Sequence, residues 1–217
     1  METFKFVMGV AVPMMQINID TDQIIPTRYL GGTDAKGYGS FLFANSRFQS
    51  DGSLNESFIL NQSPFNQAKI LLADRNFGCG SSRERAPKAL REFGLRCIIA
   101  PSFGGIFFNN CFRNGLLPVE LKLAEVQQIV DLVLLSKGSQ HVCVNLEDQT
   151  VSLVDSKLVF SFKAPTTLRQ MLLQGVDEIE QSLAHRERID AWRKIDRVRR
   201  PWVYATEKTV PDPISSL

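Results

Sequence analysis

A buried strand followed by a glycine-rich turn and a helix constrains the middle of this sequence. The apolar run at residues 70–73, ILLA, is typical of a strand inside a sheet. It leads into NFGCGSSRE at residues 76–84, where two glycines let the backbone bend sharply and approach another group closely. A helix over residues 84–93 is predicted to follow, with Ser81 and Glu84 at capping-box spacing.

The residues at the start of this helix suit a bound anion. Backbone N–H groups at a helix start favour negative charge, and Arg83 adds a planar fork of donors for a carboxylate. Ser81 and Ser82 place two hydroxyl groups beside that fork. The alternative interpretation is a glycine-rich turn with an ordinary helix cap, and these residues alone favour neither. Pro87 lacks an N–H group, so either the helix begins near Ala86 or the turn before it is a separate short piece.

A second polar stretch lies nearer the N-terminus. Residues 18–26 read NIDTDQIIP, which places Asp20, Thr21 and Asp22 before an apolar pair and a proline. Aspartates in loops usually hydrogen-bond to the local backbone, and that is the simpler interpretation. The functional interpretation gives Thr21 and Asp22 a role in an active site.

The composition is that of an ordinary globular protein. The chain of 217 residues is long enough to bury one substantial core, and it is 44% apolar and 22% charged. A formal charge of +2 demands no polyanionic partner. No apolar stretch reaches the ~20 residues that a membrane span needs. The short N-terminal run at residues 7–15 is interrupted by Pro13 and predicts a first strand, not a signal peptide. We therefore expect a cytoplasmic protein.

Cysteine and histidine are too few and too scattered to predict a metal site. These residues are Cys79, Cys97, Cys111, Cys143, His141 and His185. Without a CxxC pair, neither a zinc site nor an iron–sulfur cluster is expected on this chain alone, and no residue is assigned as a metal ligand. Cys79 is expected to be a small residue in a tight turn, with a catalytic nucleophile as the less favoured alternative.

The remaining pattern predicts an α/β fold with C-terminal helices. Strands are predicted at residues 4–12, 70–73, 96–100, 116–119, 141–145, 151–154 and 158–162. Helices are predicted at residues 84–93, 103–114, 123–135, 166–175, 176–183 and 185–201. Residues 31–39 are predicted to form a flexible glycine-rich loop, and residues 44–67 a long surface excursion.

The last predicted helix is basic and amphipathic. Residues 185–201 hold seven Lys and Arg against three Asp and Glu, a balance of 7 − 3 = +4. Ile189, Trp192 and Ile195 recur every three residues, which indicates a helix that packs through an apolar stripe. A nucleic-acid-binding arm is the disfavoured alternative, because no stacking platform or recognised motif accompanies the charge.

Four motifs in order give a resemblance to a known family. They are DTDQIIP at residues 20–26, NFGCGSSRE at 76–84, IAPSF at 99–103 and NGLLPV at 114–119. This combination closely resembles the small subunits of 3-isopropylmalate dehydratase, in the aconitase superfamily, up to about Tyr204. The resemblance implies a swivelling β/β/α domain with C-terminal helices over residues 1–204, and a separate tail at residues 205–217.

The resemblance also implies a reaction and a partner. The small diacid 2-isopropylmalate would lose water and then regain it with the hydroxyl group on the neighbouring carbon, giving 3-isopropylmalate in leucine biosynthesis. A large subunit would hold a [4Fe–4S] cluster with one iron open as a Lewis acid, in a heterodimer or heterotetramer. This chain would bind no cofactor itself.

Site residues follow from the matching motif positions. Ser81 corresponds to the serine that removes and returns the proton on carbon. Ser82 and Arg83 correspond to contacts with the substrate carboxylate, and Thr21 and Asp22 to polar residues that face the active site.

Two departures from the family pattern leave the substrate open. Arg85 stands where histidine is usual, and Gly104-Gly105 stands where a small residue and an aspartate are usual. A paralogue that acts on another 2-hydroxy diacid, of the citraconate or methylmalate type, is therefore an alternative. A non-catalytic nucleic-acid-binding relative is disfavoured, since such a protein need not keep Ser81 and Arg83.

Overall fold

The structure is a computed structural model that describes residues 1–31 and 37–204. The chain divides into two compact units, Met1–Asp177 and a second unit that begins at Glu178. The predicted tail at residues 205–217 and most of the predicted glycine-rich loop lie outside the described residues. Within the described ranges, no helix combines the length and apolar character needed to cross a membrane.

The elements confirm the predicted α/β class, with boundaries that differ by a few residues. The strands are β1 (Phe6–Met14), β2 (Ile70–Ala73), β3 (Cys97–Ala100), β4 (Leu117–Glu120), β5 (His141–Asn145), β6 (Thr150–Leu153) and β7 (Val159–Ser161). The helices of the first unit are α1 (Thr21–Ile24), α2 (Ala44–Arg47), α3 (Arg85–Phe93), α4 (Gly105–Arg113), α5 (Leu123–Leu135) and α6 (Thr166–Gln174). The second unit contains α7 (Glu178–Leu183) and α8 (Arg186–Arg199).

The sheet has a parallel half and an antiparallel half that meet at β1. Its strand order is β4-β3-β2-β1-β5-β6-β7, with parallel pairing from β4 to β1 and antiparallel pairing from β1 to β7. Every residue of β2 and β3 is buried, as expected for central parallel strands. The carboxyl ends of β1, β2 and β3 lie at one edge of the sheet, so the polar loops that follow them are brought together.

The segment from residue 44 to residue 67 is mostly exposed, as the predicted surface excursion requires, but a few of its residues anchor it in the protein. Leu60 is only 1% exposed. The Arg47 guanidinium donates to the carbonyl oxygens of Gly39 at 3.4 Å and Leu42 at 3.2 Å, and it lies over the ring of Phe93. Burial lowers the pKa of Arg47 from its ordinary value. One arginine thus joins this segment to α3.

The predicted capping box at the start of α3 is wrong. The helix begins at Arg85 with Glu84 as its N-cap, and the Glu84 side chain makes no capping hydrogen bond. Ser81 lies outside the helix, in the turn before it. Pro87 falls in the first helical turn, where N–H groups have no intrahelical acceptor. The N–H group that proline lacks therefore costs the helix no hydrogen bond. The serine hydroxyl is therefore not used to start the helix.

The loops after β2 and β3 pack backbone against backbone. Gly78 has a φ of +73°, and a Cβ atom there would overlap the ring of Phe107. A Cβ atom on Gly104 would lie 2.5 Å from the carbonyl oxygen of Gly78. The N–H group of Gly104 donates to the carbonyl oxygen of Phe77 at 2.9 Å. The loops therefore leave little room for a side chain at either position, and at Gly78 the positive φ favours glycine as well.

We predict that Gly78→Ala lowers the free energy of unfolding by about 2–4 kcal/mol, because it combines an overlap with a left-handed backbone. Gly105→Ala is the matched control, since its added Cβ has no neighbour within 4 Å among the described residues outside its own stretch of helix. That control should change stability by less than about 0.5 kcal/mol. Urea unfolding of both variants checks this, and equal effects would contradict the packing argument.

Candidate active site

A cavity of about 250 Å³ lies at the edge where the three parallel strands end. Its walls include Thr21 after β1, the residues Ser81, Ser82 and Arg83 after β2, and Gly104 after β3. The structure therefore brings together four of the five predicted site residues in one cavity. The fifth, Asp22, lies beside it and contacts Arg83.

Backbone hydrogen bonds join the turn after β2 to the residues after β1. The N–H group of Gly78 donates to the carbonyl oxygen of Ile19 at 2.7 Å, and that of Thr21 donates to the carbonyl oxygen of Cys79 at 3.0 Å. Gly80 has a φ of +91°, which glycine tolerates and other residues rarely adopt. These bonds fix the path of the chain immediately before Ser81.

The hydroxyl group of Thr21 holds the backbone of Ser81. Thr21 is only 2% exposed, and its Oγ1 donates to the carbonyl oxygen of Ser81 at 2.9 Å. Asp20 has the structural role that the simpler interpretation gave it, because its side chain accepts from the N–H group of Gln23 at the start of α1. Thr21 is thus placed to position Ser81.

Ser81 and Ser82 keep their hydroxyl groups available. Both residues are exposed, and neither hydroxyl has a hydrogen-bond partner among the residues that the structure describes. The chain before them is held by backbone hydrogen bonds, so both hydroxyl groups lie at the cavity wall without an intramolecular partner among the described residues.

Arg83 holds a carboxylate of its own chain. Nη1 donates to Asp22 Oδ1 at 2.5 Å and Nη2 donates to Asp22 Oδ2 at 2.7 Å, a bidentate pair. Nη1 also donates to the carbonyl oxygen of Ile25 at 3.2 Å. These bonds leave Nε–H and one Nη2 proton of Arg83 for another acceptor. The predicted carboxylate fork is present, and in this structure Asp22 occupies it.

The same pair sets the ionisation of Asp22. The hydrogen bond from Arg83 lowers the pKa of this carboxyl group, and a further hydrogen bond from Thr27 Oγ1, at 2.8 Å, lowers it again. Asp22 is therefore charged at neutral pH and offsets the charge of Arg83.

The start of α4 is the part of the site that the sequence did not reveal. Gly105, Ile106 and Phe107 line the cavity, and as the first three residues of α4 they have N–H groups without intrahelical acceptors. Among the described residues that line the cavity there is an arginine and no carboxylate. The strand–Gly-Gly–helix pattern at residues 97–113 was the available signal, because anion-binding loops have that pattern.

The thiols do not converge on a metal site. Cys97 and Cys111 are buried, and burial raises the pKa of both thiols well above the ordinary value. Cys79 is partly exposed at the cavity wall. In the part of the chain that the structure describes, no three His, Cys, Asp or Glu residues are grouped to hold a metal ion. The described residues therefore offer no ligand set for an iron–sulfur cluster.

Arg85, the departure from the usual histidine, lies outside the cavity wall. It is exposed, and its guanidinium carbon is 5.7 Å from the ring centroid of Tyr38. Lys88, one turn further along α3, places Nζ 5.1 Å from the same centroid. Arg85 thus contacts the described end of the predicted glycine-rich loop, at Tyr38.

Comparisons with known proteins agree with this fold. The family model of the aconitase C-terminal domain matches residues 1–124, more than half of the chain. The protein is therefore of the aconitase C-terminal domain class.

Relatives identify the family more closely. A protein of Gluconacetobacter diazotrophicus is 44% identical over 93% of this chain and 97% of its own, and one of Cupriavidus necator is 46% identical over 94% and 99%. Both are named 3-isopropylmalate dehydratase small subunit. The crystal structure of 3-isopropylmalate dehydratase from Methanocaldococcus jannaschii matches with a TM-score of 0.61 and 26% identity, over 87% of this chain and 99% of that one. The chain belongs to the family of 3-isopropylmalate dehydratase small subunits.

We predict that Asp22→Asn destabilises the protein at pH 7 by about 0.5–1 kcal/mol, the range for a partly exposed ion pair. Because the pKa of Asp22 is lowered in the folded state, its contribution is present above the ordinary aspartate value of about 3.9 and is lost as pH falls through the lowered value. The difference in unfolding free energy between wild type and variant should therefore shrink from pH 7 towards pH 3. Urea unfolding across this range measures it, and a constant difference would contradict the assignment.

Proposed function

We propose that this chain is the small subunit of a 3-isopropylmalate dehydratase, a hydro-lyase that converts 2-isopropylmalate to 3-isopropylmalate in leucine biosynthesis. The observation that carries the proposal is the cavity that combines the unpaired Ser81 hydroxyl, Arg83 and the N-terminal end of α4. Such a set of donors suits a dianionic hydroxy acid, because the positive end of the helix and the arginine both favour carboxylates. The family relationship supports the same activity.

In the proposed reaction Ser81 moves the proton. The C3–H bond of 2-isopropylmalate breaks, its electron pair forms the C2=C3 double bond, and hydroxide leaves C2. Water then returns hydroxide to C3 and the proton to C2. A serine alkoxide is a strong base that needs stabilisation, and nearby N–H donors and Arg83 are suited to supply it. Thr21 supports this role by fixing the carbonyl group of Ser81.

Ser82 and Arg83 are proposed to bind a substrate carboxylate. The hydroxyl group of Ser82 has no partner among the described residues, and Arg83 keeps two N–H donors beyond those used by Asp22. The proposed role of Asp22 is to hold the guanidinium in place so that these remaining donors are pre-organised.

A large subunit is proposed to complete the site. The cavity is small, and its described wall offers a single arginine for a substrate with two carboxylates. We propose that the partner encloses the substrate and carries a [4Fe–4S] cluster, which would supply a Lewis acid for the hydroxyl group. The assembly would be a heterodimer or heterotetramer in the cytoplasm.

A related diacid substrate is the second candidate. Apart from its own stretch of helix, no atom of the described residues lies within 4 Å of a Cβ added at Gly105, so the two-glycine departure leaves open space at the cavity wall. Such space can alter which substrate side chain fits. Arg85 gives no comparable support, because it lies away from the described cavity wall.

Reconstitution with the large subunit of the same organism tests the function. We expect kcat/KM for 2-isopropylmalate to exceed those for 2-methylmalate and citraconate by at least about tenfold, since two extra methyl groups add apolar contact. The chain alone should show no turnover, because the proposed cluster is on the partner. A preference for the methyl substrates would replace the first candidate with the second.

We predict that Ser81→Ala lowers kcat by about 10²–10⁴-fold in the reconstituted enzyme, the usual contribution of a positioned proton-transfer group. Stability should change by less than about 0.5 kcal/mol, because the hydroxyl is exposed and unpaired. Ser82→Ala is the matched variant and should mainly raise KM. Turnover of Ser81→Ala within a few-fold of wild type would remove Ser81 from the chemistry.

A further inference from the structure

The second unit exposes most of its large apolar side chains. We define the Trp192 face as five residues of α8 and the turn that follows it, which are 37–69% exposed. They are Ile189, Trp192, Ile195, Trp202 and Val203. Among the described residues of this unit, Asp196 is the buried one. The predicted amphipathic helix is confirmed, while its apolar stripe is open to solvent.

A polar hub holds this face in a defined shape. Asp196 is 5% exposed and accepts hydrogen bonds from Arg200 Nε at 2.7 Å, Arg200 Nη2 at 2.8 Å and the Tyr204 hydroxyl at 2.8 Å. These bonds fold the turn Pro201–Val203 back beside α8, and the Arg200 guanidinium lies 5.8 Å from the Trp192 ring centroid. Two tryptophans are therefore presented on an ordered surface without being buried.

This surface has the composition of a protein interface. Tryptophan and arginine are the residue types that most often carry binding energy at the centre of an interface. Isolated helices of α8's length are marginal in water, so an amphipathic one normally gains stability from a partner. Exposed clusters of large apolar side chains with a polar rim commonly mark a binding site.

We propose that the Trp192 face docks on the large subunit. The Gluconacetobacter relative, named a small subunit, matches over 202 residues. Since the first unit holds 177 residues, at least 202 − 177 = 25 matched positions fall in the second unit. The sequence similarity to this relative therefore extends into the second unit. This inference rests on the proposed function, because that function supplies the partner.

Charge favours the large subunit over a second copy of this chain. Residues 185–201 carry a balance of +4, and a two-fold dimer through this face would place two such helices together. Like charges at an interface are costly, whereas an apolar groove with an acidic rim would complement the face. We therefore expect the partner surface to be apolar in the centre and acidic at the edge.

The two tryptophans allow a direct test, because they are the only ones in the sequence. The full-length chain is labelled with 5-fluorotryptophan and its fluorine NMR spectrum is recorded with and without unlabelled large subunit. We expect both resonances to shift or broaden on mixing. The dissociation constant, measured without substrate, should rise about 10–100-fold in Trp192→Ala. The kcat at saturating large subunit should stay within about twofold of wild type.

Met8→Ala is the matched control, because Met8 is an exposed apolar residue, 54% accessible, on β1 of the first unit. It should leave the dissociation constant unchanged. Unchanged resonances, or an unchanged dissociation constant for Trp192→Ala, would overturn the proposal. Because the dissociation constant is measured without substrate, the docking proposal and the proposed function can fail separately. An enzyme that assembles but does not convert 2-isopropylmalate would contradict only the proposed function.

Other occupants give different results, each of which would overturn the proposal. If light scattering shows a wild-type dimer that Trp192→Ala converts to monomer, a second copy covers the face. If the variant lowers the melting temperature of the isolated chain and leaves assembly intact, the chain covers the face itself. Salt-dependent binding of labelled poly(U) that Trp192→Ala weakens, with assembly intact, would indicate a nucleic-acid surface.

Discussion

Two backbone hydrogen bonds between neighbouring loops are the constraint on which the site depends. They join Gly78 to Ile19 and Thr21 to Cys79, at the edge where β1 and β2 end. Because β1 and β2 are parallel neighbours in the sheet, the loops that follow them meet at this edge. The Thr21 hydroxyl extends the connection to Ser81. The position of the proposed base is therefore set by the main chain of two loops, with one buried side chain in support.

The helices beside this edge serve the site in different ways. The N-terminus of α4 lines the cavity, whereas α3 follows the turn that carries Arg83. Along its length α3 also contacts the described end of the predicted glycine-rich loop. Arg85 lies over the ring of Tyr38, and Glu92 Oε2 accepts from the N–H group of Gly39 at 3.1 Å. One short helix thus connects the turn that carries Arg83 with residues 38 and 39.

The sequence predicted the strands and the class of fold, because buried strands leave apolar runs that are easy to recognise. It also singled out Thr21, Ser81, Ser82 and Arg83, which share one cavity, because the glycine-rich turn and the polar stretch before it are conspicuous. It did not predict that Asp22 would pair with Arg83, since 61 positions separate them. The Ser81 cap was wrong because a local spacing rule cannot show where the backbone first becomes helical. The contribution of α4 was missed because almost every residue has a backbone N–H group, so residue types do not show which of these groups will face a cavity. The catalytic roles of these residues stay predictions, because the structure shows which groups are available to a substrate and kinetic measurements test whether those groups act on it.

The glycines at the crossing of the two loops restrict how this cavity can change during evolution. A side chain at Gly78 or at Gly104 would displace neighbouring atoms, so substitution there disturbs the contact between the two loops. Gly105 can gain one freely. A substitution at Gly105 is therefore the change that could reshape this wall of the cavity while the contact between the two loops stays intact.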